Sequence, residues 1–466
     1  MNPCETAATL VAPSIGTRVM VSVDTLPAPR SHFLTGHLPE LRQDTLGFFL
    51  RCAREYGDAV TVRIGPKRAL LLSSPALVEE VLVSQARHFA KSAGYRTIFG
   101  RLIGNGLVVS EGEEWRRQRR LVQGDFQRER VATYAGVMVQ SAQRKLGAWH
   151  DDDVREIQDE MVVLSLDVVA RALFGADLAD DIPRVGRALA AVLHEFDVLL
   201  TGLQGFLPAG LPTPGNLRLR RAVRELDGVV FALIERRRRQ QQVDRDDMLS
   251  RLLHARDTDG QLLSARLLRD QLMTLLVAGH ETTALALTWT WYLLATNPAA
   301  EARLHAEVAE VLDGRPPTAA DLPRLRYAEA VALEALRLYP PVYALARRVV
   351  EPCVVGGRRL PRGQTVVLSQ WVVHRDPRSF EMPETFRPER WLDGLVEWLP
   401  RGAYFPFGAG QRMCVGNSFA MLELVLVLTT IAQRYRLELL PGQRVTPRPA
   451  GSLRVQSGLP MRLHRR

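Results

Sequence analysis

Among the residues able to do chemistry, Cys414 stands out by its surroundings. Residues Tyr404 to Gly416 read YFPFGAGQRMCVG, so Phe407, Gly410, Arg412, Cys414 and Gly416 are spaced F-x-x-G-x-R-x-C-x-G. Glycines at 408, 410 and 416 permit positive φ and close backbone approach, which suits a tight loop pressed against a flat ligand. Phe419, Leu422, Leu426 and Ile431 then keep a rough helical face, placing Cys414 at a helix N-terminus. Free N–H groups and the helix dipole there favour a thiolate, the form of cysteine that binds metal. Three other readings compete: a buried inert thiol; a dinucleotide loop, against which Met413 stands where its third glycine belongs; and a nucleophile elbow at Ser418, which would lie inside the helix.

A second polar group sits where polar groups are expensive. Ala278-Gly279-His280-Glu281-Thr282-Thr283 interrupts an apolar segment, Ala265 to Thr296, with helical periodicity. Glycine and paired threonines are poor interior helix residues, and unpaired buried polar groups cost free energy. A threonine bonding back to its own helix is the structural alternative. Glu334 and Arg337, in ALEALRLYPP, share a helix face at i and i+3, as Trp115 and Arg119 do at i and i+4.

The elements that must position these groups are mostly helical. Helical patterns cover Glu113–Val122, Glu156–Phe174, Leu217–Gln240 and the long segment above. Ala59–Ile64 and Ala69–Ser73 flank Gly65-Pro66 as a small hairpin, and short strands are expected at Thr365–Ser369, Arg436–Leu440 and Leu453–Gln456. Pro27 to Pro39 reads as an extended lead-in. The expected fold is mainly α with a minor β-sheet (α+β), one domain over 27–466 behind a disordered tail, 1–26.

Bulk properties narrow the classes. Hydrophobic residues make up 46% and charged residues 24%, enough apolar content for a large core. No apolar run reaches the ~20 residues of a membrane span, and Met1 to Leu26 lacks a signal-peptide pattern, so a cytoplasmic chain is expected. The +10 charge is nearly all arginine, since Lys67, Lys91 and Lys145 are the only lysines. Acids at Asp244, Asp246 and Asp247 follow the Arg236–Arg239 run, so ion pairing is favoured over nucleic-acid contact. None of the four cysteines (4, 52, 353 and 414) forms C-x-x-C, which argues against zinc, redox-pair and c-type haem sites.

Together these motifs resemble the cytochrome P450 family in order and spacing, from about Pro27 to the C-terminus. The resemblance implies a single-domain P450 fold, a long helix locally loosened across the haem, and haem b (iron protoporphyrin IX) with Cys414 as axial thiolate and sole protein ligand to iron. It implies that Phe407 and Gly410 shape the haem loop, that Ala278 and Gly279 lie over the ring, and that Trp115, Arg119, Arg347 and Arg412 serve the propionates, with Arg348 as an alternative to Arg347. Thr282 and Glu281 would deliver protons to dioxygen, the thiolate favouring O–O cleavage. Glu334, Arg337 and Arg390 would form a buried structural network, and His374 a structural turn.

The implied activity is monooxygenation of a lipophilic small molecule, such as hydroxylation in secondary metabolism, by a monomer. Without a flavin or iron–sulfur segment, electrons would come from a ferredoxin and ferredoxin reductase or a similar donor, docking on Arg116, Arg117 and Arg120. Family pocket regions here carry Phe206, Leu207, Leu211, Val342, Tyr343, Leu345 and Leu459, the last beside a turn at Gly458, and this favours a terpenoid or polycyclic lipid. A fatty-acid hydroxylase, with Tyr343 at the pocket mouth, stays open. So do a haem-thiolate isomerase or dehydratase and a non-enzymatic haem sensor.

Overall fold

The computed structural model describes residues 21–22, 26–176, 181–201, 211–239, 247–256 and 260–466. Its axis is a 31-residue helix, Ala265–Ala295, begun by Ser264, whose hydroxyl accepts the Leu267 N–H. The helix is apolar on most sides because it is covered on most sides: the helices Ile157–Phe174, Arg326–Leu338 and Asn417–Ala432 all join it in one core. Asn417–Ala432 is itself buried from Leu422 to Ala432, so the single apolar face expected after the cysteine is a helix without a wet side.

The predicted helices form with small shifts: Gly112–Gln123, Ile157–Phe174, Pro214–Arg239 and Ala265–Ala295. Pro39 belongs to the first turn of a helix, Leu38–Tyr56, rather than to an extended lead-in. A first-turn N–H has no helical partner to lose, so proline fits there. Inside the expected tail, Val21 and Ser22 pair in parallel with Arg358 and Arg359; residues 1–20 and 23–25 lie outside the described residues. The long helix runs without interruption through Gly279, so the local loosening expected there is absent.

The hairpin Ala59–Ile64/Lys67–Leu72 is antiparallel, pairing Ala59 with Leu72 and Ile64 with Lys67. It is two strands of a five-stranded sheet that continues through Thr365–Leu368, Leu345–Val349 and Phe89–Lys91. At the far side, Tyr435–Leu439, Pro460–Arg465 and Val154–Glu156 form a three-stranded sheet, and Pro447–Pro449 pairs with Leu453–Val455 in a separate hairpin.

The arginine run resolves into ion pairs. Arg237 turns inward to Asp247, Ser250 and the Phe174 carbonyl, and Arg238 pairs with Glu235. Among the described residues no helix is long and apolar enough to cross a membrane.

The Glu334 network is as buried as its residue types allow. Glu334 and Arg337 side chains are 0% exposed and joined by two hydrogen bonds of 2.8 Å. Arg390 donates to the same carboxylate at 3.0 Å, and so do the Trp391 indole and the Arg387 N–H, at 2.8 and 3.0 Å. Arg337 also donates to the carbonyls of His374, Pro383 and Thr385. One carboxylate thus gathers five donors.

His374 is the next link. Its Nε2 accepts the Phe405 N–H at 3.0 Å, so that nitrogen carries no proton. Burial, with Arg337 and Arg375 close by, pulls His374 down to about 3. The unfolded chain binds this proton below pH ~6.5 while the folded chain refuses it, so His374 contributes stability above that pH and loses it as the pH falls towards 3. Urea midpoints should therefore fall between pH 6.5 and 4, and His374→Gln should flatten that part of the profile.

Candidate functional site

The cysteine loop is fixed by backbone bonds within itself. Gly408 N–H donates to Phe405 O and Cys414 N–H to Phe407 O, both at 2.9 Å. Gly410 has φ +66°, and a Cβ there would lie 2.0 Å from the Leu82 carbonyl oxygen, so glycine is required on two counts. Phe407 packs on the main core. The Cys414 thiol is accessible, unlike the buried Cys52 and Cys353. Surrounding protein nevertheless desolvates it and raises its pKa, while the Gly416 N–H and the charge of Arg119 pull the other way. Those two groups are the ones that favour a thiolate once a cation binds it.

The long helix presents a complementary opening. Leu268 to Leu276 and Thr283 to Trp291 are buried, yet Val277, Ala278, Gly279 and Thr282 are accessible. Thr282 donates to the Ala278 carbonyl at 2.8 Å, as Thr274, Thr288 and Thr290 do to carbonyls four residues before them. What distinguishes Thr282 is accessibility, since the other three are buried. Glu281, beside it, faces the other way. Its carboxylate meets Ser452 and Arg454 on the hairpin after Pro447. Neither partner was legible in the sequence, because a three-residue strand has too little periodicity to announce a neighbour.

Around the loop gathers an excess of cations. Arg412 stacks 3.8 Å from the centre of the Trp115 ring, donates to the Ser110 carbonyl at 3.0 Å and contacts Glu111. Arg347 lies opposite Lys91 in the sheet register and points inward, while its neighbour Arg348 is exposed. Arg119 turns to the cysteine loop, donating to the Met413 carbonyl at 2.8 Å. Lys91, missed by motif reading, contacts the Val108 carbonyl, and burial followed by the Arg412 charge lowers it to about 7. Its signal was position, one of three lysines in an arginine-rich chain. Glu111 is the acid that opposes the charges of Lys91, Arg347 and Arg412.

Two pocket assignments change. Leu459 is fully buried in the core and its N–H donates to Glu156, while a Cβ on Gly458 would strike the same carboxylate at 2.4 Å. The turn that reaches the long helix is instead Ala450–Ser452. Tyr343 donates its hydroxyl to the Ala450 carbonyl at 3.0 Å, so it offers no free anchor at a pocket mouth. Leu345 lies near Gly408, 3.8 Å from where its Cβ would be, and Val342 is half-buried. Leu211 is exposed; Phe206 and Leu207 lie outside the described residues.

An accessible thiol with a supporting N–H, an open turn on an otherwise buried helix and a surplus of cations are features a haem-thiolate site would use. The cytochrome P450 family matches residues 26–462, and the chain belongs to it. It is 41% identical over 433 residues to the cyclooctatin synthase of Streptomyces melanosporofaciens, covering 91% of this chain and 93% of that protein. It is 36% identical over 425 residues to the pentalenene oxygenase of Streptomyces avermitilis, covering 90% and 93%. A crystal structure of the cytochrome P450DA heme domain superposes with a TM-score of 0.85 at 27% identity, over 95% of this chain and 98% of that one. The protein is a cytochrome P450 monooxygenase.

The described residues fit haem: the accessible Cys414 thiol suits its iron, and three cations sharing the one acid Glu111 suit its two propionates. Arg347→Ala or Arg412→Ala should speed haem loss to an acceptor protein about tenfold, the effect of one charge-assisted hydrogen bond of ~1.5 kcal/mol. Haem-transfer kinetics at constant pH measure this.

Proposed function

We infer that the chain hydroxylates or epoxidises a polycyclic terpenoid, with electrons from a ferredoxin and its reductase. The observation that carries this reading is likeness over nine-tenths of the chain to a cyclooctatin synthase and a pentalenene oxygenase, whose names point to terpenoids. The tied hydroxyl of Tyr343 supports it against a fatty-acid substrate, whose carboxylate would want a free donor.

In this reading Cys414 ligates the iron as thiolate, with the Gly416 N–H supporting its charge. Haem so ligated supplies dioxygen activation and oxygen-atom insertion. The remaining work belongs to side chains. Arg347, Arg412 and Lys91 bind the propionates, Trp115 braces Arg412, and Arg119 steadies the thiolate through its charge. Phe407 and Gly410 would shape the loop that holds the haem, and the small side chains of Ala278 and Gly279 would leave room for it beside the long helix. The accessible Thr282 hydroxyl would serve the reaction side, and Glu281, the residue before it on the helix, would bring protons to it. Arg120 and Arg116 are exposed for an acidic donor, although Arg116 contacts Glu113 and Arg117 is half-buried.

The reduced protein should give a strongly red-shifted Soret band with carbon monoxide, lost in Cys414→His; an unshifted band in the unsubstituted protein would overturn thiolate ligation. Incubated with ferredoxin, reductase and NAD(P)H, it should add one oxygen atom to cyclic terpene hydrocarbons in mass-spectrometric assays and leave fatty acids unchanged. Thr282→Ala should keep NAD(P)H consumption but lower product per NAD(P)H about tenfold, the deficit appearing as peroxide.

A further inference from the structure

The hairpin Pro447–Pro449/Leu453–Val455 carries an arrangement that costs energy unless something repays it. Arg448 and Arg454 are direct cross-strand partners, and like charges in that position repel. Each is drawn to a buried carboxylate on a different helix. Arg448 lies 3.7 Å from Asp197 of helix Ile182–Thr201, and Arg454 Nε donates to Glu281 of the long helix at 2.9 Å. Asp197 is 6% exposed and Glu281 8%.

The turn between the strands repeats the pattern. Gly451 N–H donates to Asp197 Oδ1 at 3.0 Å, and Ser452 Oγ donates to Glu281 Oε1 at 2.8 Å. The hairpin is otherwise pinned to the long helix, because Trp289 Nε1 donates to the Leu453 carbonyl at 2.8 Å. Both Arg454 and Ser452 bond Oε1 of Glu281, and Oε2 accepts no hydrogen bond from the described residues.

We propose that Arg454 is a positioning residue that anchors Oε1 of Glu281 so that Oε2 is held ready to exchange protons, and that the hairpin relays the position of helix Ile182–Thr201 to that carboxylate. The inference rests on the reading of Glu281 as proton carrier. Helix Ile182–Thr201 leads into residues 202–210 and is tied to the hairpin by Asp197, so its displacement pulls on Gly451 and, two residues of chain further on, on the strand that holds Arg454.

The experiment is a mutant cycle on the haem-loaded enzyme, scored as product formed per NAD(P)H consumed. Arg454→Gln should lower that ratio about tenfold with peroxide release, Arg454→Lys should restore part of it, and Ser452→Ala should lower it less. The carbon monoxide band and the substrate-induced spin shift should be retained in all three. Arg454→Gln should add nothing in a Glu281→Gln background. In a second arm, Asp197→Ala and Arg448→Gln should increase hydrogen exchange at the Gly451 amide and lower the ratio in the same direction. A defect in Glu281→Gln with none in Arg454→Gln and Ser452→Ala, or additive effects in the double variant, overturns the inference alone. An unchanged ratio in Glu281→Gln overturns the reading of Glu281 and the inference with it. Unaltered Gly451 exchange in Asp197→Ala overturns the relay.

Discussion

The Glu334 carboxylate, fully removed from solvent, is the constraint from which the cysteine loop takes its place. A bare buried carboxylate would be prohibitively costly, so its oxygens must be matched by donors. Arg337, Arg390, Trp391 and the Arg387 N–H provide them, which draws helix Arg326–Leu338 against the segment Phe386–Trp391. Arg337 has donors to spare and passes the constraint on to the His374 carbonyl; the His374 ring in turn holds the Phe405 N–H at the root of the loop. Three consecutive polar links therefore run from a structural carboxylate to the loop that carries Cys414. Each link is buried, so each is costly to leave unmade and restricts the alternatives available to its neighbours.

Against this rigid side stands a helix that is closed along most of its length and open over a single turn. Apolar packing explains the closed part. The open part coincides with Ala278 and Gly279, the smallest side chains available, and with Thr282. Polar residues at such a place would be a liability in an ordinary core helix. They are tolerable here because Glu281 finds Arg454 and Ser452 on one side, while Thr282 bonds back to its own helix. Burial lowers the pKa of His280, whose Nδ1–H donates to the Leu276 carbonyl of the same helix.

Charge is distributed unevenly for a reason. Many arginines of this basic chain are spent in ion pairs, as in Arg237 with Asp247 or Arg269 with Asp227 and Asp270. Near the loop cations outnumber acids: Lys91, Arg347 and Arg412 share the single acid Glu111, and burial followed by the Arg412 charge lowers Lys91 to about 7. Packing cations together in a desolvated place is unfavourable on its own, and it becomes favourable when an anionic group such as a pair of propionates joins them.

Much of the chemistry was legible in the amino-acid sequence because its requirements are local. A turn that needs φ above zero names its glycine, an i,i+3 pair names a shared helix face, and a long apolar period names a buried helix. Hence the four predicted helices emerge from periodicity, and Cys414, the Ala278–Thr283 cluster and Glu334 with Arg337 stand out as candidates by spacing, while their roles come from the resemblance to the cytochrome P450 family. Tertiary structure decided the rest. Lys91 meets Arg347 through a sheet register, Arg454 meets Glu281 across 173 positions of chain, and Leu459 sinks into the core while Ala450–Ser452 takes the place beside the helix. Strands of three residues carry almost no periodic signal, and their partners are selected by which buried charges must be neutralised once the helices have packed.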